Sequence, residues 1–167
     1  MQANKITRIG RAATLAALFL FAMPLPTIIS PTPTLAQKAM RQETLKIVTS
    51  SGTHSFAIEV AETDEEKARG LMFRRTLAPN AGMLFPYEPA QEITMWMKNT
   101  YISLDMVFIR ADGTVLRVAT GTEPFSEKVI ASGGDALAVL ELIAGTAARI
   151  GVKPGDRVEH KLFGRKT

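Results

Sequence analysis

Thr94-Met95-Trp96-Met97-Lys98-Asn99-Thr100 runs, one residue later, into Ile102-Ser103-Leu104-Asp105-Met106-Val107-Phe108-Ile109. The stretch holds the single Trp of the chain and sets Lys, Asn, Thr and Asp between two apolar runs that read as strands. If residues 93–98 and 105–110 are antiparallel partners, the simplest register sets Lys98 against Asp105, Met97 against Met106, Trp96 against Val107 and Met95 against Phe108. Side chains alternate between the two faces of a strand. One face, Met95, Met97, Met106 and Phe108, is then wholly apolar and belongs to the core. The other carries Thr94, Trp96, Val107 and Ile109 and ends in Lys98 and Asp105, an aromatic floor meeting a polar rim.

That rim admits two readings. Lys98 and Asp105 form a cross-strand ion pair of about 0.2–1 kcal/mol, or they hold the polar groups of a ligand stacked on Trp96. Asn99 and Thr100 either satisfy turn backbone groups or join the same site, since loops often carry function. Glu141 lies inside the nearly continuous apolar run 136–143. A carboxylate there is costly to bury alone, so it should be paired, hydrogen-bonded or protonated. Lys98 and Arg69 are the candidate partners. Glu141 is then a buried strut that sets strand order, or, if it converges with Asp105 and Lys98, part of a site for acid–base work or hydroxyl recognition.

Outward from this centre, the N-terminus has a targeting pattern. Lys5, Arg8 and Arg11 precede an apolar run over 12–23, Pro24 and Pro26 follow, and Thr34-Leu35-Ala36 offers small residues at the positions signal peptidase reads. The expectation is a signal peptide over 1–36, a loose segment over 37–42, one globular domain over 43–163 and a tail over 164–167, in an exported, periplasmic or extracellular protein. The apolar run is 12 residues long, against the roughly 17–25 needed to span a bilayer, so no stable membrane anchor is expected after cleavage. With the three basic residues of the signal removed from the 20 in the chain, the remainder is close to neutral against 16 acidic ones. The high pI is therefore a targeting feature, and no basic cluster with interleaved aromatics points to nucleic acid. The chain has no Cys, which excludes disulfides, thiol chemistry and lipidation at an N-terminal Cys.

Along the rest of the chain, Leu45 and Ile47, then Phe56, Ile58 and Val60, alternate around Ser51-Gly52-Thr53 as a hairpin. Thr63 with Glu66 makes a capping box, and Ala68, Leu71 and Met72 continue an apolar helical stripe. Gly70 costs such a helix about 1 kcal/mol, so the helix ends near it or another backbone packs against it. Met83-Leu84-Phe85 reads as a short strand stopped by Pro86, and Asp112-Gly113 as a tight turn. Residues 121–134 read as a mobile loop, 136–143 as a strand buried on both faces, 144–150 as a short helix, 153–156 as a turn and 157–163 as a last strand.

Arg69-Gly70-Leu71-Met72, Gly82-Met83-Leu84-Phe85, Trp96-Met97-Lys98-Asn99-Thr100 with Leu104-Asp105-Met106, Val139-Leu140-Glu141-Leu142 with Ala144-Gly145, and Gly155-Asp156 resemble, in order and spacing, the uncharacterised family called domain of unknown function number 192. The resemblance covers about residues 45–161. It implies an exported compact domain with a curved, mostly antiparallel sheet, and no established reaction.

His54 and His160 lack the neighbours of a zinc site, and Ser103, Ser126 and Ser132 lack a nearby activating His. No dinucleotide fingerprint or P-loop occurs, and the eight Met residues suit core packing better than soft-metal binding. The sequence therefore implies no metal and no cofactor. The expected fold is α+β, a mostly antiparallel curved sheet or partial β-barrel with one main helix and a short C-terminal helix. The expected function is a binding module for a small polar, saccharide-like ligand, with Trp96, Lys98, Asn99, Thr100, Asp105 and Glu141 as ligand-binding residues. The alternatives are a hydrolase using Glu141 or Asp105 as general acid or base, and a structural or envelope-associated interaction protein.

Overall fold

The computed structural model describes residues 40–164; the expected signal peptide over 1–36 lies outside the described residues. The hairpin around Ser51-Gly52 forms as the alternation predicts. β1 (Arg41–Thr49) and β2 (Gly52–Val60) pair antiparallel, with Leu45 opposite Phe56 and Thr49 opposite Gly52. Arg41 and Gln42, at the end of the segment expected to be loose over 37–42, pair with Val60 and Glu59 in β1, and residues 37–39 lie outside the described residues.

A crossover follows. α1 (Asp64–Arg69) begins at the capping box: the Glu66 N–H donates to Thr63 Oγ1 at 3.2 Å, and the Thr63 N–H donates to Glu66 Oε2 at 3.0 Å. Three carboxylates fill its first turn, where the backbone N–H groups favour negative charge. It stops at Gly70, where φ is 46° and a Cβ would stand 3.1 Å from the Phe85 ring. The helix ends at the glycine, as one alternative expected, and what packs closely against it is the Phe85 side chain and not another backbone. Leu71 and Met72 fall beyond the helix, and the expected main helix is in fact six residues.

The crossover delivers β3 (Ala81–Met95) parallel to β2, from Ala57 opposite Ala81 to Val60 opposite Leu84. β3 does not stop at Pro86. Its pairing shifts between Pro86 and Gln91 and then resumes, because proline removes a ladder donor without ending the strand where a bulge absorbs it. β4 (Leu104–Ile109) and β5 (Val115–Ala119) make a hairpin at Asp112-Gly113, where Asp112 Oδ1 accepts from the Thr114 N–H at 2.9 Å. β6 (Ile130–Ile143) begins earlier than expected and absorbs the end of the proposed 121–134 loop. α2 (Thr146–Ile150) and β7 (Arg157–Glu159) close the chain, and β7 is shorter than the predicted 157–163 strand.

The seven strands form one sheet in the order β5-β4-β6-β3-β2-β1-β7. Only β2 and β3 are parallel. The sheet curls into a half-barrel, and its two ends meet where Thr114 bridges Arg157 and the Val158 N–H donates to Gly113 O at 2.8 Å. Among the described residues the fold is thus mostly β with two short helices.

This order corrects the central expectation. β3 and β4 are not partners, because β6 lies between them and pairs antiparallel with both. Residues 136–143 of β6 are almost continuously apolar, and a stretch buried on both faces belongs inside a sheet and not at its edge. Residues 96–103 therefore pass across the end of the sheet, and the register Lys98–Asp105, Trp96–Val107 does not exist. The apolar face drawn from that register nonetheless survives. Met97, Met106 and Phe108 are buried in one cluster with Leu71, Met83, Phe85 and Val139, and Met95 packs against it. Val107, Ile109, Leu140 and Leu142 point the other way, into a second cluster with Leu45, Ile47, Phe56 and Ile58.

Candidate functional site

Period-two alternation places Glu141. In β6 it follows Leu140 and precedes Leu142, both in one core cluster, so its side chain points to the opposite face beside Val139. Its register partners are Met83 on β3 and Met106 on β4, each wholly buried. Glu141 is 4 % exposed. Among the described residues no hydrogen bond or ion pair reaches its carboxyl, and burial alone pushes its pKa from 4.5 up to about 8. Charge in an apolar setting with no partner is disfavoured, so the group holds its proton at neutral pH.

This carboxyl lies at the base of an open pocket of about 500 Å³. One wall is the end of α1 and the turn after it, with Lys67, Arg69, Gly70, Leu71 and Met72. Phe85, Tyr87, Thr94 and Met95 of β3 form a second wall, and Trp96, Lys98 and Thr100 of the connection form a third. The connection is pinned on both sides. The Phe73 N–H donates to Asn99 O at 2.9 Å, the Met97 N–H to Ser126 O at 2.8 Å, and the Phe125 N–H to Thr100 O at 3.2 Å.

Of the six residues the sequence singles out, four line this pocket: Trp96, Lys98, Thr100 and Glu141. Trp96 is 50 % exposed, and Lys98 Nζ stands 5.3 Å from the centre of its ring. The Lys98 ion partner is Glu127 at 3.8 Å, on the surface, and not Asp105 or Glu141. Thr100 is buried, with its hydroxyl donating to Lys98 O at 3.2 Å. Asn99 does not line the pocket. It occupies the left-handed turn position, φ 55°, that Asn tolerates better than most residues, and its Nδ2 lies 3.9 Å from Met72 Sδ.

Asp105 is elsewhere. It shares the face of Val107, opposite to that of Glu141, and is completely buried. Its Oδ1 accepts from the Gly121 N–H at 2.9 Å and its Oδ2 from the Ala147 N–H at 2.8 Å. Asp105 thus satisfies an otherwise unpaired donor at the start of α2 and ties the loop after β5 to the sheet. The convergence of Glu141, Asp105 and Lys98 does not occur, because two carboxylates on opposite faces of one sheet cannot meet.

The structure adds residues that the sequence reading left outside the site. Tyr87 comes from the part of β3 beyond Pro86, where no strand is expected. Its hydroxyl is held above the usual phenol range by burial and then by the nearness of Glu141, and Lys67 Nζ lies 5.0 Å from its ring. Arg69-Gly70-Leu71-Met72 is conspicuous in the sequence as a motif, and that is the signal that could have assigned it to the site.

The two histidines are structural. His54 Nε2 lies 3.0 Å from Ser51 Oγ, whose hydroxyl donates to Ile150 O at the end of α2 at 2.7 Å. The His160 side chain is nearly covered, with Nε2 2.7 Å from Glu43 Oε2.

The family model DUF192, described as Uncharacterized ACR, matches residues 46–160. A Sinorhizobium meliloti protein proposed as a transcription regulator is 44 % identical, with a TM-score of 0.71, over 74 % of this chain and 96 % of that one. A Novosphingobium aromaticivorans protein of unknown function is 40 % identical, also with a TM-score of 0.71, over 77 % of this chain and 90 % of the other. No curated protein matches.

Proposed function

We propose, for a chain that belongs to the uncharacterised family DUF192 and so inherits no assigned reaction, that the pocket over Glu141 binds a small hydroxyl-rich ligand of saccharide type, in a protein acting outside the cytoplasm. One observation carries the reading. A carboxyl without a partner inside the protein stands at the base of an open pocket, and a buried polar group left unpaired is costly. A protonated carboxyl both donates and accepts, which is what a hydroxyl needs from its partner. Trp96 supplies a half-exposed ring for the C–H face of a sugar, Thr100 a hydroxyl, and Lys67 and Lys98 donors at the mouth. A concave site with an apolar lining and a few converging polar groups is the usual form of a small-molecule site.

Hydrolysis has less support. Asp105, the second carboxylate that a Glu141/Asp105 mechanism requires, is bound to backbone on the other face of the sheet. The regulator proposal attached to the S. meliloti relative also finds little to build on. The described helices are six and five residues long, and α1 opens on three carboxylates, which DNA phosphates repel.

Trp96 fluorescence, titrated with a panel of monosaccharides and polyols, tests the reading. Saturable quenching is expected for at least one ligand, retained in Glu141→Gln and lost in Glu141→Leu. No response across the panel, or equal affinity in Glu141→Leu, sinks it.

A further inference from the structure

The pocket does not end at Trp96. Next to it stand three further exposed aromatic side chains: Phe73 at 56 %, Phe125 at 59 % and Tyr101 at 36 %. They form one ledge. The Phe73 and Tyr101 ring centres are 6.2 Å apart and meet edge to face, and those of Tyr101 and Phe125 are 5.2 Å apart and tilted by 40°.

The backbone is strained to put them there. Phe73 has φ 65° and Phe125 φ 61°, a region in which a bulky side chain is an outlier and which favours glycine. Two aromatic residues placed at glycine positions and aimed at solvent contribute little to the core, and such strain clusters at functional sites. The ledge is also part of the same construction as the pocket. Phe73 follows the pocket residue Met72, Tyr101 follows Thr100, and their loops are joined by the Phe73–Asn99 and Phe125–Thr100 backbone hydrogen bonds.

A polar group accompanies the rings. The Arg75 guanidinium lies 5.2 Å from the centre of the Tyr101 ring, and among the described residues no side-chain or backbone acceptor binds it. An aromatic face beside a fork of N–H donors matches a sugar unit, which has a C–H face and a rim of hydroxyl or carboxylate oxygens. A purely apolar partner would leave that fork unpaired.

We propose that the ligand is a chain, an oligosaccharide with one unit in the pocket on Trp96 and Glu141 and the following units crossing the Tyr101–Phe125–Phe73 ledge beside Arg75. The inference rests on the saccharide reading of the pocket and adds the length of the ligand and a second contact surface.

Its test compares one, two and four units of two series, β-1,4-linked glucose and α-1,4-linked galacturonic acid, by calorimetry with the full chain. The tetrasaccharide of at least one series should bind tenfold or more tightly than its monosaccharide. Tyr101→Ala and Phe125→Gly should each bring the tetrasaccharide back toward the monosaccharide while leaving the monosaccharide unchanged. Phe125→Gly, which relieves the positive φ, should keep or raise the thermal midpoint, so a loss of affinity there is not a loss of fold. Equal affinity for one and four units in both series, or ledge variants that leave the ratio unchanged, overturns the proposal and spares the pocket, whose monosaccharide binding still depends on Glu141. Failure of every saccharide overturns both. Capture of the protein by anionic phospholipid vesicles, or self-association, abolished in Phe125→Gly, would assign the ledge to a membrane or a second copy and also overturns the proposal.

Discussion

Glu141→Gln makes the energetics of the pocket measurable. Gln has nearly the shape of the protonated acid and no charge at any pH, so it replaces the state that the fold selects. In the wild-type protein the carboxyl titrates near 4.5 when unfolded and near 8 when folded. Below pH 4.5 both states hold the proton and the group is neutral to stability. Between 4.5 and 8 the unfolded chain releases the proton and the folded chain keeps it, so the folded state binds one proton more and unfolding becomes easier as pH rises. The slope is about 1.4 kcal/mol per pH unit, and across the whole window from 4.5 to about 8 the loss amounts to about 5 kcal/mol. That is a large share of a typical domain stability of about 5–15 kcal/mol. Urea unfolding of both proteins at pH 5, 6, 7 and 8 reads it directly, since every other titrating group cancels in the difference. The variant should gain on the wild type by about 4 kcal/mol between pH 5 and pH 8. A difference that stays flat across that range would show that Glu141 has a partner or easy access to water, and the account of the pocket would fail with it.

Other perturbations separate the site from the scaffold. Asp105→Ala removes a carboxylate holding two backbone N–H groups and should cost about 3–5 kcal/mol by denaturant unfolding, without changing ligand affinity in the pocket. A double-mutant cycle of Lys98→Met with Asp105→Asn should show a coupling below about 0.5 kcal/mol, because the two side chains have no contact; a larger coupling would restore the discarded ion pair. Gly82→Ala places a methyl 2.8 Å from Glu141 O and from Leu142 Cδ2. It should destabilise by about 1–3 kcal/mol through overpacking between β3 and β6, seen as a lowered thermal midpoint. Thr63→Ala removes the N-cap of α1 and should cost about 1 kcal/mol, read in the same assay.

Much of the local structure was legible from spacing. Alternation around Ser51-Gly52 located the first hairpin, and Thr63 with Glu66 located the start of α1. Met106 and Phe108 reached the core although the hairpin that suggested them does not form, because the inward face of a strand depends on its own alternation and not on its neighbour; Met97 is buried as well, but in the connection beyond β3 and not by strand alternation. Glu141 was legible as a problem, a carboxylate in an apolar run, since the cost of burying charge is a property of the residue and its immediate surroundings. The length of β3 was not legible, because Pro86 ends a strand or passes through a bulge according to what the adjacent strand can offer.

What the sequence by itself determined is where most strands alternate, where the chain turns, and that Trp96, Lys98, Asn99, Thr100, Asp105 and Glu141 are out of place in a plain core. Only the tertiary structure decided their company. β6, more than twenty residues beyond β4 in sequence, inserts between β3 and β4, and that one long-range choice sends Asp105 to one face and Glu141 to the other. It also brings the turn after α1, Tyr87 and Trp96 to the pocket that Glu141 lines. Periodicity is written in neighbouring residues, whereas strand order follows from burying the apolar strands on both faces, a competition among all the strands at once.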